Sequence, residues 1–214
     1  MKKNSLFFTV AVILIACSNP KEAETDDDWI SLFDGKSLDG WKASEEPGTF
    51  SIENGCIKVA GPRSHLYYEG TVMNHDFKNF ELKARVMTRP GSNSGIYFHT
   101  AYQESNFPDK GFEAQINNSH SDWRRTGCLY DIKDFGELYV SDGVWFTETI
   151  LVKGKHVIIS IDNKKVLDWI QPDDYVPPKN HSGRIISSGT FALQGHDPAR
   201  TVFFKDIMVK PLPD

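Results

Sequence analysis

Short runs of alternating apolar and polar residues, separated by turn residues, recur along this chain from Trp29 to its end. The run FELKARVMT (80–88) is typical, because its apolar side chains fall at every second position. A period of two is the signature of a β-strand with one buried face. Helical periodicity reaches three turns nowhere after Trp29. The chain is therefore expected to be all-β.

Turn signals divide this alternation into about a dozen short strands. TFSIENGCIKVA (49–60) predicts a hairpin around Asn54-Gly55, and a second turn is predicted at Asp162-Asn163. Further strands are predicted in SGIYFHT, GFEAQIN, WFTETILVKG, GTFALQGH and TVFFKDIMVK. The strand count favours two antiparallel sheets packed as a β-sandwich or jelly roll, with a concave face free for a ligand.

The first residues predict export and lipidation. Lys2 and Lys3 precede the apolar run LFFTVAVILIA, which ends before Cys17 and resembles a bacterial lipobox. Residues 1–17 are therefore predicted to be a lipoprotein signal peptide, with Cys17 the lipidated residue. The alternative is an ordinary secretory signal with a cysteine there by chance. Residues 18–28 are predicted to be a flexible acidic tether, and 29–214 a single domain.

Charge and cysteine content limit the partners. The formal net charge is -5 and no basic cluster stands out, so nucleic acid is not expected as a partner. The predicted contact with a membrane is through the lipid anchor only, at the outer-membrane side of the cell envelope, facing the periplasm or the surface. Cys56 and Cys128 could pair in an oxidising compartment or stay as two buried thiols.

Polar side chains on the face opposite the predicted core indicate a candidate site. Strand parity places them on three runs, at Glu113, Gln115 and Asn117, at Tyr97 and His99, and at Gln194 and His196. A carboxyl among amides can have its pKa raised into the range of a general acid or base. Amides fit sugar hydroxyls because they donate and accept at once. The alternative is an ordinary polar sheet face, since parity does not give strand order.

Five segments together resemble one family in order and spacing. They are LFDGKSLDGW (32–41), NFELKARVMTRPGSNSGIYFHT (79–100), GFEAQINN (111–118), TGCLYDI (126–132) and FALQGHDPARTVFFKDIMVKPL (191–212). The chain resembles the 3-keto-disaccharide hydrolase family, whose domain is similar to the concanavalin A-like lectin and glucanase sandwich. The resemblance implies a substrate that a partner sugar 3-dehydrogenase has already oxidised at C3.

The resemblance also implies an elimination mechanism. A ketone at C3 acidifies the C2 proton, so a base can form an enolate, the C1 group leaves, and water then adds. Glu113 or His196 would be the base. Gln115 and His99 would bind substrate or stabilise the oxyanion, and Tyr97 and Tyr130 would contact the sugar.

The same resemblance raises the question of a cation at the site. Relatives often carry arginine at the position of His99, and a fixed cation there would stabilise an enolate. Arg124 and Arg125 of SDWRRTG could supply it from a loop, or could be a solvated loop tip. Asn117, Gln194 and Asp131 complete the expected substrate-binding set.

No cofactor is expected to be required. Lectin-like sandwiches sometimes carry a structural Ca²⁺, for which Asp131, Asp134 and His196 are candidate ligands. Two other functions remain open. One is a carbohydrate-binding lipoprotein without catalysis, and the other is a conventional glucanase, which needs two acids on one face.

Overall fold

The computed structural model describes residues 28–196 and 198–214. The predicted signal peptide, Cys17 and all of the predicted tether except Asp28 lie outside the described residues. Asp28 places a carboxylate oxygen 3.1 Å from the Lys210 amine on the last strand. Within the part of the chain that the structure describes, no helix is long and apolar enough to cross a membrane.

The described residues form thirteen strands and two short 3-10 turns, at Pro47–Thr49 and Val72–His75. The strands are β1 (Ile30–Ser31), β2 (Trp41–Ala43), β3 (Phe50–Glu53), β4 (Cys56–Val59), β5 (Ser64–Tyr68), β6 (Phe80–Thr88), β7 (Ser94–Thr100), β8 (Phe112–Ile116), β9 (Phe146–Lys153), β10 (His156–Ile161), β11 (Lys164–Ile170), β12 (Thr190–Gly195) and β13 (Val202–Pro211). Each strand predicted from alternation is present. The short strands β1, β2 and β5 were not predicted.

Two antiparallel sheets contain all of these strands. One has eight strands in the order β11-β10-β9-β6-β13-β4-β3, with β1 also paired to β13. The other has five, in the order β2-β5-β12-β7-β8. The predicted turns close the β3–β4 and β10–β11 hairpins, and both residues of each turn have positive φ. The prediction of an all-β sandwich is confirmed.

The apolar core lies between the sheets. The eight-stranded sheet contributes the alternating residues of β6 that the sequence predicted to be buried. The five-stranded sheet contributes Ile96, Phe98, Phe112, Phe191 and Leu193, among which Phe98 and Phe112 stack with ring centroids 5.4 Å apart. Burial of this apolar surface is the main favourable term in folding.

The outer faces of the two sheets differ. Along β6 and β9, buried residues alternate with half-buried ones, as expected for a sheet with one face toward water. Along β5, β7, β8 and β12, every residue is buried. Loops 101–111, 117–145 and 171–189 connect the strands and fold over this outer face. The candidate site lies where these loops leave a gap.

Candidate functional site

A cavity of about 270 Å³ opens over the outer face of β7, β8 and β12. This volume is at the small end of the range for ligand pockets, ~300–1,000 Å³. Strands contribute the floor, and the three loops contribute the walls. The lining residues are Asn93, Tyr97, Phe107, Glu113, Gln115, Asp122, Tyr130, His181, Arg184, Gln194 and His196.

Glu113 is at the centre of a hydrogen-bond network on the cavity floor. Tyr97, its register partner on β7, donates its hydroxyl to Glu113 Oε2 at 2.8 Å. The Gln194 amide donates to Oε1 at 3.0 Å. The Gln115 amide nitrogen, in the orientation that satisfies its neighbours, donates to Ser94 O at 2.8 Å and to Glu113 Oε1 at 3.3 Å. The carboxyl orientation is therefore fixed by three side chains.

Burial raises the pKa of Glu113 to about 7, while the Arg184 charge and the hydrogen bonds from Tyr97 and Gln194 act in the opposite direction. The side chain is only 4% exposed, so desolvation of the carboxylate is the larger effect. A carboxyl that titrates near neutral pH can take up or release a proton at working pH. This is the property required of a general acid or base.

Gly95 makes room for the Glu113 side chain. It lies on β7 opposite Gln115, on the cavity face. A Cβ at this position would lie 2.6 Å from Glu113 Oε1 and 2.8 Å from its Cγ, which is closer than real side chains approach. The missing side chain lets the glutamate lie across β7 and reach both Tyr97 and Gln194.

Gly95→Ala is therefore expected to displace the Glu113 carboxyl. Overpacking of this kind typically costs roughly 1–3 kcal/mol of stability, and we expect kcat/KM to fall about tenfold or more because misplaced catalytic groups lose rate steeply. Steady-state kinetics and thermal unfolding measure the two effects. Gly48→Ala is the matched control, since a Cβ there would meet nothing within 4 Å. Full activity in Gly95→Ala would contradict the role given to Gly95.

Arg184 is a cavity residue that the sequence analysis did not identify. Its Nη2 lies 3.9 Å from Glu113 Oε2, and Nη1 has no hydrogen-bond partner among the described residues although the side chain is only 4% exposed. The guanidinium also packs 5.1 Å from the centre of the Tyr130 ring. A buried cation with a free N–H can bind an oxyanion in the cavity.

The loop around Arg184 is held by backbone pairing. Gly183 accepts a hydrogen bond from Gly111 N at 3.0 Å, and Gly183 forms an isolated bridge with Lys110. Glycine is needed at position 183, because a Cβ there would overlap the Asp109 backbone. The loop has no periodicity in sequence, so a glycine preceding an arginine was the only local signal.

Six of the ten residues predicted for the site line the cavity. They are Glu113, His196, Gln115, Tyr97, Gln194 and Tyr130. The other four, His99, Asn117, Arg124 and Asp131, do not line it. The roles predicted for the six stay predictions. The shared face of Tyr97, Glu113, Gln115 and Gln194 follows from the antiparallel register of β12, β7 and β8, whereas Tyr130 reaches the cavity from loop 117–145.

His99 lies away from the cavity, and the prediction that it shares the face of Tyr97 is wrong. Tyr97 pairs with Ala192 and Thr100 with Thr190, so two residues of β7 oppose Phe191 alone. This β-bulge, with His99 at φ 55, turns the side chain toward Phe80 and the Lys78 carbonyl, to which its Nε2 donates at 2.9 Å. Alternation fails wherever a bulge adds a residue.

Asn117 organises the loop that follows β8. Its amide donates to Asp122 O at 3.0 Å and to Arg124 O at 2.7 Å, and its carbonyl oxygen accepts from His120 N at 2.8 Å. Both amide N–H groups of this side chain are therefore used within the loop. It acts on the cavity only by positioning Asp122 in the wall.

Arg124 is held in an ion-pair network behind the same wall. Its Nε donates to Asp134 Oδ2 at 2.9 Å, and its Nη2 lies 3.6 Å from Asp131 Oδ1. Its guanidinium packs 4.4 Å from the Tyr130 ring centre, on a ring that Arg184 also contacts. Arg184 supplies the cavity with the cation for which the sequence offered Arg124 or Arg125.

The described residues bring together no group of three or more histidine, cysteine or carboxylate side chains that could hold a metal ion. Asp131 and Asp134, two of the candidate Ca²⁺ ligands, are engaged by Arg124. Cys56 and Cys128 are both buried free thiols, which decides between the two alternatives for this pair.

Comparison with known proteins gives one family. A model of the 3-keto-alpha-glucoside-1,2-lyase-like domain matches residues 28–210. The chain is 26% identical over 240 residues to a 3-keto-disaccharide hydrolase of Bacteroides thetaiotaomicron, and the alignment covers 87% of this chain and 79% of that protein.

Solved structures agree on the fold. A "putative glycosyl hydrolase" of Parabacteroides distasonis superposes with a TM-score of 0.74 at 22% identity, over 89% of this chain and 99% of the other. A carbohydrate binding module of Bacillus subtilis superposes with a TM-score of 0.57 at 13% identity, over 80% and 95%. At these identities the likeness concerns the sandwich alone.

Proposed function

Because this chain belongs to the 3-keto-alpha-glucoside-1,2-lyase-like domain family, we propose that it is a glycosidase-type enzyme that cleaves 3-keto-glycosides by elimination followed by hydration. One observation carries this proposal. A buried carboxyl with a pKa of about 7, that of Glu113, lies in the cavity beside an arginine that has a free N–H. The pair offers a base and an oxyanion stabiliser in one site.

The first step is proton transfer from C2 of the sugar to the Glu113 carboxylate. The electron pair of the C2–H bond forms the C2–C3 double bond, and the former C3 carbonyl oxygen becomes an enolate oxygen. Arg184 stabilises that negative charge, which is worth most in a site with little water. Gln115 and Gln194 hold the carboxyl in place and present the remaining amide groups to sugar hydroxyls.

The second step is loss of the group at C1. The enolate reforms the C3 ketone, a C1–C2 double bond forms, and the bond from C1 to the leaving oxygen breaks. His196, at the rim of the cavity, is the proposed proton donor to that oxygen. Water then adds at C1 and gives its proton to His196, while a proton returns to C2 from Glu113, so both groups are restored and the net reaction is hydrolysis.

A conventional two-carboxylate mechanism has less support. Among the described residues that line the cavity, Asp122 is the only carboxylate besides Glu113. Its Oδ1 accepts from Arg124 N at 2.9 Å, and its Oδ2 lies 3.5 Å from Arg124 Nη1. Both Asp122 oxygens are therefore already engaged by Arg124.

The test is a paired assay of the purified protein on a nitrophenyl 3-keto-β-glucoside and on the unoxidised nitrophenyl glucoside. We expect release of nitrophenol from the keto substrate only, since an unactivated C2 proton is not acidic enough for the buried base. Release from both substrates would replace elimination by conventional hydrolysis. Binding of either sugar without release would make the protein a carbohydrate-binding module.

A further inference from the structure

Two cavity-side residues on neighbouring strands carry buried polar atoms without partners. His65 on β5 is fully buried, and neither ring nitrogen has a hydrogen-bond partner among the described residues. Gln194 on β12 donates its amide to Glu113, but its Oε1 has no hydrogen-bond partner in the part of the chain that the structure describes. Buried polar atoms without hydrogen bonds are rare in folded proteins, because each one reduces the free energy of unfolding.

The two residues lie side by side at one end of the cavity. His65 and Gln194 are register partners, so they share the outer face of the five-stranded sheet. The His65 ring contacts two cavity-lining rings edge to face, Tyr97 at 5.3 Å and Phe107 at 5.7 Å between centroids. Phe107 in turn lies 6.5 Å from the His196 ring. Phe107 therefore contacts both His65 and the proposed proton donor.

Phe107 is the cover of this end. It belongs to loop 101–111, and its side chain lies over His65 while the residue remains 40% exposed. The loop around Phe107 is held by exposed polar contacts. One of these is the hydrogen bond that Asn106 N donates to Glu45 Oε2 at 3.2 Å. Phe107 is therefore a partly exposed side chain packed directly against the buried His65 ring.

We propose that His65, the Gln194 carbonyl and Phe107 form the subsite that binds the leaving sugar of the substrate. The inference rests on the proposed function and adds to it the residues that hold the leaving group. Neutral imidazole offers one donor and one acceptor, and the amide oxygen offers a second acceptor, which together match sugar hydroxyls. Phe107 supplies an apolar face for the C–H side of a pyranose ring.

The location agrees with the direction of the reaction. Glu113 is on β8, His196 follows β12 and His65 is on β5, so His196 comes between the proposed base and His65 in the strand order of the sheet. A keto sugar above Glu113 directs its C1 oxygen toward His196, so the departing group extends toward His65. The small cavity volume is consistent with one ring in the formed cavity and the second beneath Phe107.

The experiment compares two substrates with the same 3-keto-glucosyl unit, one with glucose and one with nitrophenol as the leaving group. We expect His65→Phe to reduce the ratio of kcat/KM for the disaccharide over the nitrophenyl substrate about tenfold, the scale of one or two lost hydrogen bonds. The loss should appear in KM. The melting temperature should hold or rise, because an apolar ring removes two unsatisfied nitrogens.

Tyr67→Phe is the matched control. Tyr67 is two positions along β5 on the same face and is covered by Tyr102 instead of Phe107. Its buried hydroxyl also has no hydrogen-bond partner within the described ranges. In Tyr67→Phe, the ratio of kcat/KM for the disaccharide to kcat/KM for the nitrophenyl substrate should equal that of the wild type. An equal loss on both substrates in His65→Phe, or no loss on either, would overturn the subsite. Inactivity of the wild type on both substrates would instead refute the proposed function.

Discussion

Glu113→Gln is expected to lower kcat on a 3-keto-glycoside by a factor of ~10²–10⁴, the usual contribution of a general base. The amide keeps the size of the carboxyl and still accepts a hydrogen bond from Tyr97, but it cannot take the C2 proton. KM should change little, because the groups that hold the sugar remain. Stopped-flow or steady-state kinetics on the nitrophenyl 3-keto-glucoside measure the effect.

The pH profile gives a second readout of the same residue. Burial raises the pKa of Glu113 to about 7, so the base is protonated and inactive below that pH. Wild-type kcat/KM is expected to rise through pH 7, and this limb should be missing from the residual activity of Glu113→Gln. If Glu113→Gln keeps more than a tenth of the wild-type activity and its kcat/KM still rises through pH 7, Glu113 is not the base and His196 takes that role.

Glu148→Gln is the matched control for that experiment. Glu148 is a fully buried glutamate like Glu113, but it lies on β9 of the eight-stranded sheet and does not line the cavity. The same carboxyl-to-amide change at this position should leave the kinetics unaltered. Loss of activity in both variants would point to a general effect of the substitution on folding.

Glu148→Leu is expected to stabilise the protein, most strongly at alkaline pH. Glu148 faces the core between Phe146 and Ile150 of its own strand, and its register partners are Ala84 and Ile161. Neither carboxyl oxygen has a hydrogen-bond partner in the described residues. Burial alone raises the pKa of Glu148 to about 8, since no charge or hydrogen bond opposes it.

The direction of the pH dependence follows from the proton balance. Above about pH 4.3, the usual glutamate pKa, the unfolded chain loses this proton, whereas the folded protein keeps it until about pH 8. Folding therefore binds a proton in this window, and stability falls as pH rises through it. The full loss from Glu148 is on the order of several kcal/mol, at about 1.4 kcal/mol per pKa unit.

Chemical denaturation of wild type and Glu148→Leu at pH 5 and pH 9 measures this effect. The difference in unfolding free energy between the two proteins should be larger at pH 9. The comparison isolates Glu148, because Glu113 contributes a loss in the same direction to both proteins. A difference that is the same at both pH values would mean that Glu148 is not protonated in the folded state.

The strands and the family were predictable from local pattern. Period-two alternation located β6, β7, β8, β12 and β13, because a sheet with one core face imposes that pattern directly on the sequence. The motifs around Glu113 and Gln194 gave the family, which the domain match confirms. The edge strand β2 and its neighbour β5 were not predicted, because β2 has only three residues and SHLYY of β5 shows no clear alternation.

Strand parity also indicates the buried position of Glu148. In FTETILVK, Glu148 falls on the same side as Phe146 and Ile150, so the buried carboxyl in the core was readable from the sequence. His65 shows the opposite case. Its importance depends on the cover from Phe107 and on the missing partners of its ring nitrogens, neither of which follows from its place in SHLYY.

Sequence alone therefore determined the all-β class, the main strands and the parity that aims Glu113, Gln115, Tyr97 and Gln194 at one face, because these depend on neighbours one or two residues away. Only the tertiary structure decided which loops close over that face. It brought Arg184 to within 3.9 Å of Glu113 and turned His99 into the core at a bulge. Both depend on contacts between segments far apart in the chain, and such contacts leave no local period to detect.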